Sequence, residues 1–319
     1  MPDVVLRTQD LTKRFGDLLA VSGLSLEVYE GEVFGFLGPN GAGKTTSINM
    51  ICGLLKPDAG SVWLLGQLVQ GSDQGLRRIV GVCPQEIVLW ERLTCLEQLI
   101  FMGQMYGLSA RRASASARRL LEVLELTDKA KVQARKLSGG MQRRLNLAMA
   151  LVHDPQVVIL DEPDAGLDPQ SRVKVREYIH SLARVKTVIL TTHNMDEAER
   201  LADRVGIIDH GKLLVLDTPQ ALKARLGEGD VLEVELTGEA LDEGRLKASL
   251  QDQLGRREMQ VGIDLQRHLV SVRGLNAISM LAPIQAVIRE NGMSVGEVRL
   301  RQNSLEDVFI HLTGRSLRE

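Results

Sequence analysis

Residues 38 to 46, Gly38-Pro39-Asn40-Gly41-Ala42-Gly43-Lys44-Thr45-Thr46, decide how the rest of this chain is read. Gly38, Gly43, Lys44 and Thr45 fit the spacing G-x-x-x-x-G-K-[ST] of a phosphate-binding loop. Glycine at 38, 41 and 43 lets the backbone bend so that successive N–H groups point into one concavity. A side chain there would block the close approach of a phosphate. The apolar run Val33-Phe34-Gly35-Phe36-Leu37 before the loop predicts a buried strand, and Thr46 to Leu55 after it predicts a helix. Strand, glycine loop and helix start together hold a polyphosphate against the positive end of a helix dipole. Lys44 is placed to reach the β- and γ-phosphates, and Thr45 to hold Mg²⁺ through its hydroxyl.

The chain is long enough, at 319 residues, for one large or two ordinary domains, and its 44% apolar content marks a globular protein. A formal net charge of −2 makes no case for general nucleic-acid binding. Cys52, Cys83 and Cys95 lack metal-ligand spacing and read as reduced thiols. No apolar run reaches spanning length, and the start MPDVVLR has no signal-peptide core. Any work at a membrane is therefore expected from the cytoplasmic side, through a partner.

Upstream of the loop, Val21, Leu24, Leu26 and Val28 space out as one face of a half-buried strand, and Tyr29-Glu30-Gly31-Glu32 is a turn. Phe15, beside Gly16, is an aromatic in a chain with few. It could stack on a base or simply end a strand. Downstream, Ser61 to Leu65 reads as a strand, and Leu76 to Val80 leads to another that ends at Gly81-Val82-Cys83-Pro84-Gln85. Gln85 can accept and donate at once, which suits a site that senses Mg²⁺ and water. From about 86 to 154 the texture becomes helical, with Leu120, Leu121 and Leu124 on one stripe. Within this insert, Ile87-Val88-Leu89-Trp90 is either core or a docking patch.

Ser138, Gly139 and Gly140 stand where the helix Gln142 to Val152 begins, either as a second anion site or as a plain cap. Val157 to Leu160 is a buried strand running into Asp161 and Glu162. Acids at that place suit a metal-side carboxylate, Asp161, and a water-orienting one, Glu162. The loop Ala165-Gly166-Leu167-Asp168-Pro169 follows, then a helix to Leu182 and a strand, Val185 to Leu190, that leads to His193. His193 could contact a γ-phosphate or hold Glu162 and water in place. Strands alternating with helices predict a mostly parallel sheet with its ligand at the carboxyl ends of the strands.

Taken together, these motifs resemble the ATP-binding subunit of an ABC transporter over roughly residues 3 to 220. Gly38 to Thr46 looks like Walker A, Val157 to Glu162 like Walker B with its catalytic Glu, and Leu137 to Met141 like the ABC signature. Gln85 falls at the Q-loop, Ala165 to Asp168 at the D-loop, His193 at the switch histidine, and Phe15 at the adenine-stacking aromatic. The resemblance implies a P-loop NTPase of α/β class that binds ATP and Mg²⁺. It also implies catalysis by Glu162, His193 and Lys44, and a metal held by Thr45, Gln85 and Asp161. Phe15, residues 38 to 46, Gln85, Ser138, Gly139, Gly140 and Asp168 would contact the nucleotide. Two such subunits, expected to be identical, would close on ATP and drive a separate polytopic membrane permease, this chain lying peripherally on the cytoplasmic face.

Two positions depart from the pattern. Met141 replaces a common Gln, as in exporter-type subunits. Asp164 stands where Ser or Thr is usual, and an extra carboxylate beside Glu162 is expected to slow turnover or alter closure.

Thr218-Pro219 and Gly227-Glu228-Gly229 mark a boundary, which divides the chain into an ATP-binding domain, 1–220, and an accessory domain, 221–319. Strands at Val231–Leu236, Gln260–Leu265, Leu269–Val272 and Val295–Arg301, with helices at Leu246–Leu254 and Ile278–Glu290, predict a βαββαβ, ferredoxin-like unit of α+β class. A last amphipathic helix, capped by Ser304 and stopped by Gly314, resembles the end of ATPase subunits of daunorubicin-resistance exporters. That narrows the cargo to a drug, lipid or polysaccharide. A soluble ABC ATPase of translation or DNA repair, or an importer subunit, is the alternative.

Overall fold

The computed structural model of the chain describes residues 3–71, 74–226, 230–238, 246, 248–250, 260–264, 268–274 and 277–314. It divides into two compact units, Met1–Pro219 with 317–319, and Gln220–Ser316.

In the first unit the strands are β1 (Val4–Phe15), β2 (Leu18–Tyr29), β3 (Val33–Leu37), β4 (Ala59–Leu64), β5 (Gln67–Leu68), β6 (Val80–Cys83), β7 (Val157–Asp161), β8 (Thr187–Thr192), β9 (Arg204–Asp209) and β10 (Lys212–Asp217). The helices are α1 (Lys44–Ile51), α2 (Gln74–Ile79), α3 (Cys95–Met105), α4 (Ala110–Val123), α5 (Gly139–Leu151), α6 (Pro169–Leu182) and α7 (Met195–Leu201), with α8 (Pro219–Ala224) at the boundary. One sheet has the order β10-β9-β3-β8-β7-β6 and a smaller one the order β2-β1-β4-β5. In the larger sheet β3, β6, β7, β8 and β9 pair in parallel, and only β10 runs antiparallel to its neighbour.

The central strands are buried on both faces, as a sheet covered on two sides requires. Val158, Leu160, Val188 and Leu190 share a core with Leu99, Leu120 and Leu121 of the helical insert. Val157, Ile159, Ile189, Phe34 and Phe36 share another with Ile48 and Ile51 of α1 and with Leu6, Val28 and Leu64 of the smaller sheet. Register then aligns the strand ends. Leu37 of β3 pairs with Thr192 of β8, Asp161 of β7 with Thr191, and Cys83 of β6 with Leu160. The loops that leave β3, β6, β7 and β8 therefore start from one edge of the sheet.

Some boundaries differ from the sequence reading. The helix after the phosphate loop begins at Lys44, two residues early, and ends at Ile51 because Gly53 turns the chain with φ +67°. The segment leading to β6 is the short helix α2, which buries Leu76 and turns Arg77 and Arg78 outward.

The second unit holds β11 (Asp230–Thr237), β12 (Gln260–Asp264), β13 (Leu269–Gly274), β14 (Ser294–Gln302), α9 (Leu281–Glu290) and α10 (Leu305–Thr313). Its sheet has the order β12-β13-β11-β14, antiparallel throughout, which is the order of a ferredoxin-like unit. Leu232, Val234, Val270 and Val272 pack against Ile284, Val287 and Ile288 of α9. Residues 246 and 248–250 are helical, and the rest of the predicted Leu246–Leu254 helix lies outside the described residues. Ser304 caps α10 in a capping box with Asp307, and Gly314 ends it with φ +74°.

Candidate functional site

The phosphate loop is shaped by close backbone approach. Gly43 has φ +98°, and a Cβ there would come to 2.4 Å from the Ala20 carbonyl of β2. Neither the torsion nor the space admits a side chain. Behind it, Lys44 is buried and donates from Nζ to the carbonyls of Gly38 at 2.7 Å and Pro39 at 3.1 Å. Burial lowers the pKa of Lys44, while the charges of Glu162 and Asp161 oppose the shift. Thr45 donates its hydroxyl to Asp161 Oδ2 at 3.0 Å. A hydroxyl beside a carboxylate is a hard-oxygen pair that fits Mg²⁺ sharing its remaining sites with phosphate and water. Among the described residues no cluster of three or more His, Cys, Asp and Glu could hold a metal.

Glu162 is the hub. Its Oε1 lies 3.1 Å from His193 Nδ1 and 3.6 Å from Lys44 Nζ, and its Oε2 accepts from Gln85 Nε2 at 3.2 Å. Its backbone is left-handed, with φ +45°, an uncommon conformation for this residue type. The Glu162 N–H is held by the Thr191 carbonyl at 3.2 Å and by Thr191 Oγ1 at 3.0 Å. The Thr191 hydroxyl also donates to Asp161 Oδ1. One threonine of β8 thus orients both acids.

The structure brings Lys44, Thr45, Gln85, Asp161, Glu162 and His193 together. The signature residues form a second group. Ser138 caps α5, its Oγ accepting from Met141 N at 3.3 Å. The cap reading of Ser138 holds, and Ser138 and Gly139 are exposed at the start of the helix. Gly140 is buried, and a Cβ there would come to 2.2 Å from Ser171 Oγ and 3.4 Å from Asp168 Oδ2. Asp168 caps α6 by accepting from Ser171 N at 3.0 Å. Phe15, 49% exposed, ends β1 under Lys13, whose Nζ sits 5.6 Å from the ring centre. Pro39, Asn40, Gly41, Ala42 and Thr46 complete the loop and first turn.

Asp164 does not carry loose charge. Its Oδ2 lies 3.2 Å from Arg176 Nη2 and 3.5 Å from Arg172 Nε, so its charge is compensated within the protein. Asp164 also sits against the buried Glu197. Glu197 accepts from Thr192 Oγ1 at 2.5 Å, one residue before His193. Burial first, and then the Asp164 charge, push the Glu197 carboxyl up to about 8. Its Oε1 has no hydrogen-bond partner, and a proton there completes a bond to Asp164.

Sequence reasoning missed Thr191, Glu197 and Arg143. Arg143, 2% exposed, follows the signature on α5 and reads in sequence as one of two surface arginines. Its side chain instead reaches the loops of Gln85 and Glu162. The only signal was two successive arginines on a helix that runs on into Leu145, Leu147, Ala148, Met149, Ala150 and Leu151.

Residues 21–165 match the family model described as ABC transporter. The Nod factor export ATP-binding protein I of Burkholderia lata is 41% identical over 321 residues, covering 100% of both chains. The linearmycin resistance ATP-binding protein LnrL of Bacillus subtilis is 37% identical, covering 99% of this chain and 100% of its own. The daunorubicin resistance ATP-binding protein DrrA3 of Streptomyces coeruleorubidus is 38% identical over 98% of this chain and 97% of its own. Among solved structures, an ATP-binding subunit of an ABC transporter superposes with a TM-score of 0.64 at 28% identity, over 70% of this chain and 93% of its own. A dimeric post-hydrolysis ATP-binding cassette bound to ADP and Pi does so with a TM-score of 0.62 at 26% identity, over 67% and 98%.

Proposed function

The chain belongs to the ATP-binding subunits of ABC transporters, and from that premise we propose that it hydrolyses ATP to energise export of a drug, lipid or polysaccharide by a separate membrane permease. The convergence of Lys44, Gln85, Asp161, Glu162 and His193 on one edge of the parallel sheet carries this reading. Relatives named for export and resistance, matched through the second unit as well as the first, support the direction of transport.

Each side chain has a physical task. The loop N–H groups and Lys44 would cradle the triphosphate, with Lys44 exchanging its carbonyl partners for phosphate oxygens. Thr45 and Asp161, with Gln85, would hold Mg²⁺, which when bound offsets phosphate charge. Glu162 would accept the proton of the attacking water, and His193, within hydrogen-bond reach of Oε1, would keep that carboxylate aimed. Phe15 would stack on the adenine. The exposed start of α5 suits a γ-phosphate presented by a second subunit, to which Ser138, Gly139 and Gly140 would contribute. Asp168 would line that same interface. Neither face alone meets all the phosphate charge, so ATP would hold two copies of the chain together and its hydrolysis release them.

No helix among the described residues is long and apolar enough to cross a membrane. The permease contact is assigned to the insert, on the cytoplasmic face of the membrane. There Val88, Trp90, Phe101 and Met105 are exposed, and Trp90 and Phe101 meet edge to face at 5.2 Å. Met105 also lines a cavity of about 520 Å³ with Leu76, Arg77, Met102, Tyr106 and Gly107. An apolar patch rimmed by arginine suits a short amphipathic segment of a partner.

The test is to tag the Glu162→Gln chain, extract it from its host in mild detergent with MgATP, and identify what co-purifies. A polytopic membrane protein that is lost when Val88→Glu and Trp90→Asp are added supports the reading. A ribosome, nucleic acid or soluble protein in its place overturns it.

A further inference from the structure

We propose that Arg143 is a positioning residue for ATP hydrolysis, fastening the loop of Gln85 and the strand end of Glu162 to the signature helix through their main chains. An arginine side chain has five N–H donors. In Arg143, Nε donates to the Pro163 carbonyl at 2.9 Å. Nη1 donates to the Pro84 carbonyl at 2.6 Å and to that of Gln85 at 2.9 Å. Nη2 donates to the Asp161 carbonyl at 2.9 Å and to that of Glu162 at 2.6 Å. The guanidinium is thus saturated by backbone acceptors drawn from two loops, at 2% exposure. Among the described residues it has no carboxylate ion pair, although Asp161, Glu162 and Asp164 belong to the same loops.

That choice of partner separates this arginine from an ordinary buried ion pair. A buried cation met only by carbonyl dipoles does little for stability by itself, because desolvation is large. What it does is fix the relative position of the groups around it. The two loops bear the side chains that meet across the reaction centre, Gln85 Nε2 donating to Glu162 Oε2 at 3.2 Å. Glu162 also has the left-handed φ of +45°, a conformation that persists only where its surroundings over-determine it. Thr191 holds its N–H and Arg143 holds its carbonyl. Because Arg143 rides on α5, whose first residues are Gly139 and Gly140, displacement of the Gln85 loop and displacement of the signature are mechanically one event.

The inference rests on the ATPase reading above, and the experiment separates the two. In the full-length chain, Arg143→Lys keeps the charge but offers three donors from one point in place of a planar fork. The expected result is a fall in kcat of about tenfold or more with KM for ATP within about twofold, as misplacement of positioned groups produces. Amide hydrogen exchange should rise at Gln85, Glu86, Asp161, Glu162, Asp164 and Ala165 and stay unchanged in the second unit. Should Arg143→Lys fail to fold, Arg143→Gln, neutral and shorter, is measured the same way. Turnover within twofold of the parent, or exchange that rises along all of α5 and not in the two loops, overturns the proposal. A parent chain that hydrolyses no ATP, while exchange still rises in both loops of the variant, breaks the ATPase reading and leaves the fastening role standing.

Discussion

Each unit of this chain buries an acid beside arginines, and the two acids behave in opposite ways. In the second unit, Asp307 accepts from Arg301 Nη1 at 2.6 Å and Nη2 at 3.0 Å, and from Ser304 N at 2.8 Å and Oγ at 2.7 Å. Arg273 lies a further 3.0 Å from it. Burial alone would raise its pKa, but Arg301 and the Ser304 bonds outweigh it and bring the carboxyl down to about 2. In the first unit, burial first and then the facing acid Asp164 push Glu197 up to about 8. One acid is saturated where it stands. The other belongs to a cluster that holds a proton and leads, through Thr192, to His193. Buried charge that is fully answered locally marks a strut. Lys44 is a further case, a buried cation held by the Gly38 and Pro39 carbonyls that phosphate oxygens would replace.

The sharpest way to break this contrast is Lys44→Ala. The chain should lose ATP hydrolysis by about a thousandfold or more in a phosphate-release assay, since transition-state charge would go unanswered. Its melting temperature without nucleotide should barely move, because a desolvated cation is removed. Normal turnover would dissolve the distinction between the two kinds of buried charge. Next in size, Glu162→Gln should retain ATP and run as a dimer by light scattering with MgATP. A protein that stays monomeric would mean that closure needs more than this chain. Third, Asp307→Ala should destabilise the second unit by about 3–5 kcal/mol, the usual cost of stranding buried partners, with ATP turnover kept within about twofold. A large loss of turnover would show that the strut is part of the engine.

The smallest effect tests the sign of the titrations. Glu197 holds its proton more tightly folded than unfolded, where the ordinary value is 4.5. Its contribution is complete below that value and is lost as pH rises through about 8. Asp307 is ionised more readily folded, so its contribution is present above the ordinary 3.8 and is lost as pH falls toward 2. Burial lowers His153 of the same unit from 6.5 to about 4, which gives the opposite slope below 6.5, so the stability of the first unit should slope downward between about pH 6.5 and 8, by at most about 1.4 kcal/mol per pH unit. Glu197→Gln should flatten that slope, and an unchanged slope would assign it to other groups.

Much of this was legible in the residues. The loop of Gly38 to Thr46 announces itself because Gly38 and Gly43 stand where no side chain has space, while Gly41 is called for by its left-handed torsion alone. The strands announce themselves because β3, β7 and β8 are buried on both faces and so carry apolar runs, Val33 to Leu37, Val157 to Leu160 and Val188 to Leu190. The cap and stop of α10 were visible for the same local reason. What stayed hidden was non-local. Arg143 shares a helix face with Leu147 and Ala150, and only the chain's return to residues 84–85 and 161–163 gives it carbonyls to bind. Thr191 looks like a β-branched strand filler until register sets it beside Asp161. Asp164 reads in sequence only as a neighbour of Glu162, while its partners in space are Arg172 and Arg176, eight and twelve residues on.

The left-handed backbone at Glu162 carries a lesson for anyone evolving this protein in the laboratory. Glycine and asparagine occupy that torsion at less cost than glutamate. A library screened for thermal tolerance alone would drift toward those residues at position 162, and its winners would be sturdier proteins that no longer turn over. Screens on this chain need a functional gate in every round, because here heat resistance and chemistry pull on the same peptide bond.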